Sequence, residues 1–274
     1  MTAATPTVEL GPEATRRAQW LREMWEHRGV LWILARKDFQ VRYKRATLGV
    51  LWAVAVPILQ GVVLTVVFSR FVPVEGEVSY AAYVLSGVVA WGYFSPTIAS
   101  AVTAIVDGAD LTDKIWFPRA LLPLVACLSS LVGLGISIAV LVAAIPLVGG
   151  SLQPRALLLV PATLLLFGLT AALALVLAAL QVYFRDVRFM VAAALLVGLY
   201  CTPILYQRAA VGGLGPWLDL NPLTGVVGLF HLAVVGGGEP LGRALTVSIL
   251  TWLVLSVAAV EAHRRHDRLF VDLL

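Results

Sequence analysis

The feature that most constrains this chain is an abrupt change of composition near residue 48. Residues 36–45 (RKDFQVRYKR) hold five cations, Arg36, Lys37, Arg42, Lys44 and Arg45. The 22 residues at 48–69 that follow contain no charged side chain. As an α-helix that run would rise roughly 33 Å, enough to cross a hydrocarbon core about 30 Å thick. Lys and Arg beside a span are retained on the cytoplasmic side, so the basic block also fixes an orientation. The pattern predicts an all-α integral membrane protein.

Composition agrees. The chain is 60% hydrophobic and 13% charged, with a mean hydropathy of +0.90. Soluble domains carry about 25% charged residues. The net charge of +4 does not point to nucleic acid, because the cations lie between apolar runs rather than on one continuous face. Cys127 and Cys201 both sit inside apolar runs, which argues against a disulfide framework or a metal site. The first 29 residues lack the apolar core of a cleavable signal, so insertion is expected to rely on the spans themselves.

Six apolar runs are expected to span: 48–69, 80–106, 120–148, 156–182, 189–206 and 244–260. A seventh, 223–235, is only 13 residues long and carries Gly225, Gly228 and His231. Its length suits a re-entrant or interfacial segment better than a span. Residues 207–243 are therefore expected to form an external segment that dips back toward the membrane. Placing both termini inside puts 16 of the 20 Lys and Arg on the cytoplasmic side. The implied organisation is a cytoplasmic tail and amphipathic helix at 1–29, with residues 1–14 disordered. A basic interface helix at 30–47 follows, then six spans over 48–262 and a cytoplasmic tail at 263–274. Within the first part, Trp20, Leu21, Met24 and Trp25 share one face of a helix over 15–28, with Gly29 as its stop.

Several stretches carry more than hydrophobicity. In the first span Gly49, Ala53, Pro57 and Gln60 fall within an arc of roughly 80°. A small and polar stripe packs against another helix or borders a transport path. The loop DGADLTDKIWFPR (107–119) places Asp107, Asp110 and Asp113 before Lys114. That order complements a helix dipole and also offers a handle to a soluble partner. YFRDVR (183–188) is a second such handle and an interfacial anchor. In the external segment Tyr206, Trp217 and Phe230 suit either sugar stacking or an aromatic belt, and the isolated His231 reads as structural. No GxxxxGK[ST] phosphate loop is present, and no span carries a charge at its middle. Any energy for transport is expected from a partner.

The entry RKDFQVRYKRATLGVLWAVAVPIL, the later YFRDVRF and the CTPILY…LNPLTGVVGLF stretch resemble the permease subunits of polysaccharide ABC exporters. These are type-2 ABC transmembrane domains that export O-antigen, teichoic acid or capsular polysaccharide. The likeness runs from about residue 31 to the C-terminus. It implies a homodimer bound to two copies of a separate ATPase, which holds the ATP and Mg, so that this chain carries no cofactor and is not itself an enzyme. It implies a glycan cargo on polyprenyl diphosphate, of O-antigen, teichoic-acid or cell-wall galactan type, moved outward across the bacterial plasma membrane.

By position, 107–118 would be the helix seated in the ATPase, with Asp107, Asp110, Asp113 and Lys114 as coupling residues. Arg42, Lys44 and Arg45 would attract the carrier diphosphate at the cytoplasmic mouth. Trp52, Pro57, Gln60, Tyr200, Tyr206, Trp217 and Phe230 would line the path or its gate. A drug or small-lipid exporter permease shares the fold and is the alternative. A membrane-embedded glycan-processing enzyme is more distant, since no reactive pair is found.

Overall fold

The computed structural model describes residues 17–44, 49–68, 80–112, 117–146, 153–236 and 240–266. The tail at 1–14, Arg45, Asp113, Lys114 and the residues beyond 266 lie outside that set. All regular structure among the described residues is helical.

Two helices precede the first span: α1 (Arg17–Glu26) and α2 (Arg28–Tyr43). Gly29 falls inside the first turn of α2 rather than ending α1, and the break is at His27. There the His27 N–H still bonds the Glu23 carbonyl and the Leu31 N–H bonds the His27 carbonyl. Near-continuous hydrogen bonding explains why a glycine was not needed as a stop. After residue 48, Gly49 adopts φ +53, a left-handed conformation that glycine takes without a Cβ clash. A 3-10 turn over Gly49–Leu51 then leads into α3 (Trp52–Phe68).

α4 (Tyr80–Asp107) and the short α5 (Ala109–Thr112) are followed by α6 (Leu121–Ala144). A 3-10 turn at Pro154–Leu158 starts α7 (Leu159–Tyr183). α4, α6, α7 with its turn, and the last helix, α11 (Gly242–His266), are each long and apolar enough to cross a membrane. Between α7 and α11 lie α8 (Val187–Cys201), α9 (Gly215–Leu218) and α10 (Pro222–Val234). α3, α8 and α10 are apolar but shorter. The 13-residue α10 matches the run expected to be too short to span. This is a multi-pass membrane protein.

α4 is the hub. It packs against α6, α7, α3, α10 and α8, while α11 closes on α7 and α10. Lipid offers no hydrophobic gain for helix association, so close contact and satisfied polar groups hold such a bundle. Close contact is clearest at Gly225 of α10, where an added Cβ would sit 2.6 Å from the Ala244 carbonyl oxygen of α11. Buried hydroxyls in the spans find partners both within a helix and between helices. Thr170 Oγ1 donates to the Leu166 carbonyl at 2.6 Å, and Ser248 Oγ to the Pro222 carbonyl at 2.6 Å.

The fifth apolar run, 189–206, is helical only as far as Cys201. Fifteen residues rise about 22 Å, short of a full crossing. Irregular backbone at membrane depth is tolerated where it is buried in protein, and Thr202, Pro203, Ile204 and Leu205 are all buried. Gln181 shapes the turn that precedes α8. Its amide Nε2 donates to the Arg185 carbonyl at 3.1 Å, and its Oε1 accepts from the Arg188 N–H at 2.8 Å.

Candidate functional site

A cavity of about 470 Å³ lies where α2, α3, α4 and α6 meet. The end of α2 supplies Arg42 and Tyr43, and α3 supplies Trp52, Val56, Pro57 and Gln60. From α4 come Trp91, Gly92, Tyr93, Ser95 and Pro96, and from α6 come Ser130, Gly133 and Ser137. Both prolines are inside helices. Lacking an N–H, Pro96 leaves the Gly92 carbonyl without its helical donor, and Pro57 does the same to the carbonyl of residue 53. Gly92 lines the cavity, whose side chains bring hydroxyl, amide and guanidinium groups.

Arg42 is held in a defined pose. Its Nη2 donates to Asp38 Oδ2 at 3.0 Å, one helical turn back, and its Nη1 donates to Ser130 Oγ at 3.0 Å. Ser129 Oγ donates to the same Asp38 oxygen at 2.6 Å, so the carboxylate ties α2 to α6. The ion-paired side chains are 31% and 39% exposed, a setting in which such a pair adds at most about 1 kcal/mol. Its consequence is orientation. A guanidinium has five N–H donors, and these contacts leave some over for a ligand. Lys44 lies exposed just past the end of α2, its N–H bonded to the Val41 carbonyl.

A second constellation forms at the end of α4 that carries Tyr80, and it holds the irregular 202–206 segment. Tyr80 Oη donates to the Leu205 carbonyl at 2.8 Å and Tyr83 Oη to the Tyr206 carbonyl at 2.9 Å. Asn221, which caps α10 by accepting from the Leu223 N–H, donates from Nδ2 to Thr202 Oγ1 at 2.9 Å. His231 of α10 stacks on Tyr83, with ring centroids 3.8 Å apart, and bridges the Pro203 carbonyl and Ser86 Oγ. This histidine, solitary in the sequence, is a tether between three segments. Further out, buried Arg208 pairs with Asp219 and donates to the Pro240 carbonyl at 2.9 Å.

The structure distributes the candidate residues unevenly. Arg42, Trp52, Pro57 and Gln60 meet in the cavity. Tyr206 belongs to the second constellation and donates to the Tyr200 carbonyl at 2.8 Å. The Tyr200 and Trp217 side chains are exposed outside the cavity, while Phe230 is fully buried in the core. Asp107 is exposed at the end of α4 and Asp110 lies in α5. The chain returning from 107–119 is anchored by buried Phe117, which clusters with Leu121 and Leu122 against Met24, Val30, Leu31 and Leu34 of α1 and α2.

Sequence reasoning overlooked Asp38, Ser129 and Ser130. The four-residue spacing of Asp38 and Arg42 and the Ser-Ser pair within an apolar run were visible. That the two features face each other was not.

Residues 29–233 match the family model described as ABC-2 type transporter. A relative from Myxococcus xanthus, named "O-antigen export system permease protein RfbA", is 27% identical over 246 residues, covering 86% of this chain and 94% of its own. Two Klebsiella pneumoniae proteins of the same name are 24% and 25% identical, each covering 89% of this chain and 95% of their own. With three quarters of its length in the family model and a bundle of apolar helices around α4, the chain belongs to the ABC-2 type transporter family.

Proposed function

We propose that this permease moves a polysaccharide carried on polyprenyl diphosphate outward across the bacterial plasma membrane, as half of a homodimer driven by two copies of a separate ATPase. The reading has six spans with both termini inside, α10 as part of an external gate, and 107–119 as the ATPase docking loop. The family supplies the need for an ATPase partner. The relatives' printed names support the cargo class.

The observation that carries the reading is the meeting of Arg42 with the Trp52, Pro57 and Gln60 face of α3 in one cavity. A diphosphate at headgroup depth needs a cation beside an apolar route, and a guanidinium binds phosphate as a bidentate fork. Arg42, Lys44 and Arg45 supply such cations at the start of the first apolar run.

The test is the triple change Arg42→Gln, Lys44→Gln, Arg45→Gln. Six other cations precede residue 46, so topology should hold. Export should fall at least roughly tenfold, the scale of one or two lost charge-assisted bonds, with lipid-linked polymer accumulating inside the cell. Normal export by a correctly inserted triple variant would reduce these residues to topological anchors. Absence of any lipid-linked polymer in export-deficient cells would favour a small-lipid or drug cargo.

A further inference from the structure

The cavity is not equipped like a simple anion trap. Arg42 sits in its wall with its guanidinium already oriented by Asp38 and Ser130. Away from that cation the lining mixes donors and acceptors. Ser130 accepts from Arg42 and keeps its own proton to donate. The Gln60 carboxamide offers both a donor and an acceptor, and among the described residues it has no hydrogen-bond partner. The Gly92 carbonyl is released from helical bonding by Pro96. Trp52 adds an indole that is 45% exposed.

A bare phosphate calls for donors and cations but has little use for acceptors, and an acyl or prenyl tail calls for apolar walls. Interleaved donors and acceptors beside an aromatic face suit a ligand whose surface alternates hydroxyls with C–H faces. The volume falls within the usual range of small-ligand sites, about 300–1,000 Å³. We infer that this cavity seats the sugar residue next to the diphosphate, so that the exporter recognises a glycosylated carrier and passes over the bare one. The inference rests on the exporter reading and adds a division of labour within it. Arg42 takes the phosphate, while Gln60, Trp52 and Ser130 read the first sugar.

The experiment uses the permease with its ATPase in nanodiscs. ATPase stimulation is titrated with two lipids: bare undecaprenyl diphosphate, and lipid-linked glycan extracted from cells blocked in export. For the unaltered complex the glycan-bearing lipid should half-saturate at roughly tenfold lower concentration, as expected for one or two hydrogen bonds plus a ring contact. Gln60→Leu and Trp52→Leu should each shrink that ratio to about threefold or less, while Trp52→Phe, which keeps a ring, should retain most of it. Ratios unchanged in both leucine variants would overturn the inference, as would a parallel loss of response to both lipids. Equal half-saturation of the unaltered complex by the two lipids would also overturn it. A complex stimulated by neither lipid would instead remove the exporter reading on which it stands.

Discussion

α3 and α4 run side by side and are alike in composition, since neither carries a charged residue before its last turn. Their surroundings are opposite. In α4, 16 of 28 residues are buried, including Tyr83, Trp91 and Phe94. In α3, Gly61 alone is buried among the described side chains, and Val62, Val63, Val66 and Val67 stand exposed. α8 resembles α3, burying only Val187 and Val191. In a bilayer, hydrophobicity marks what lies in the membrane and says nothing about which face meets protein. The contrast therefore separates a buried hub from two helices whose outer faces remain available to lipid or to a second copy of the chain.

The largest expected effect is at the close backbone contact between α10 and α11. Gly225→Leu would push a side chain against the Ala244 backbone, where an ideal Cβ already lies 2.6 Å from the carbonyl oxygen. A loss of about 3 kcal/mol or more is expected, read as a large fall in the thermal midpoint of the detergent-solubilised protein. Gly135→Leu on α6, where nothing lies within 4 Å, should melt like the parent. Equal melting of the two variants would break the contrast between crowded and open helix faces.

Next comes the His231 tether. His231→Ala removes a stacked ring and leaves Ser86 and the Pro203 carbonyl without its bonds. A cost of about 2 kcal/mol is expected, seen as a smaller midpoint shift and as faster hydrogen exchange over 202–206. Unaltered exchange there would mean that Tyr80 and Tyr83 hold the segment without the histidine.

The smallest effects belong to the exposed helices. Val66→Ala and Leu196→Ala truncate side chains that are 70% and 71% exposed within the single chain. Each should change the melting of the monomeric protein by no more than about 0.5 kcal/mol. A clear destabilisation confined to a dimeric fraction would sharpen the comparison, by showing that a second copy covers these faces.

Much of this was legible before any coordinates. The uncharged runs anticipated α3, α4, α6, α7 and α11, and the shortness of 223–235 anticipated α10. The basic block beside the first run pointed to Arg42 as a residue of interest. The fifth run was harder, because periodicity cannot show that CTPILY leaves the helix after Cys201. Its carbonyls are satisfied by Tyr80, Tyr83, Asn221 and His231, which come from two distant segments. Nor could spacing join Asp38 to Ser129, which lie 91 positions apart.

The sequence by itself determined that the chain lives in a membrane, roughly where its helices run and at which end its cations gather. Those are properties of single segments, set by the transfer of local side chains and backbone between water and lipid. Only the tertiary structure decided that α4 is the hub, that His231 is a tether, and that Arg42, Trp52 and Gln60 share a cavity with Ser130. In lipid a span's hydrophobicity is similar on the faces that meet lipid and protein, so hydrophobicity alone does not choose neighbours. That choice falls to small residues that permit close approach and to polar groups that must find partners across long stretches of chain.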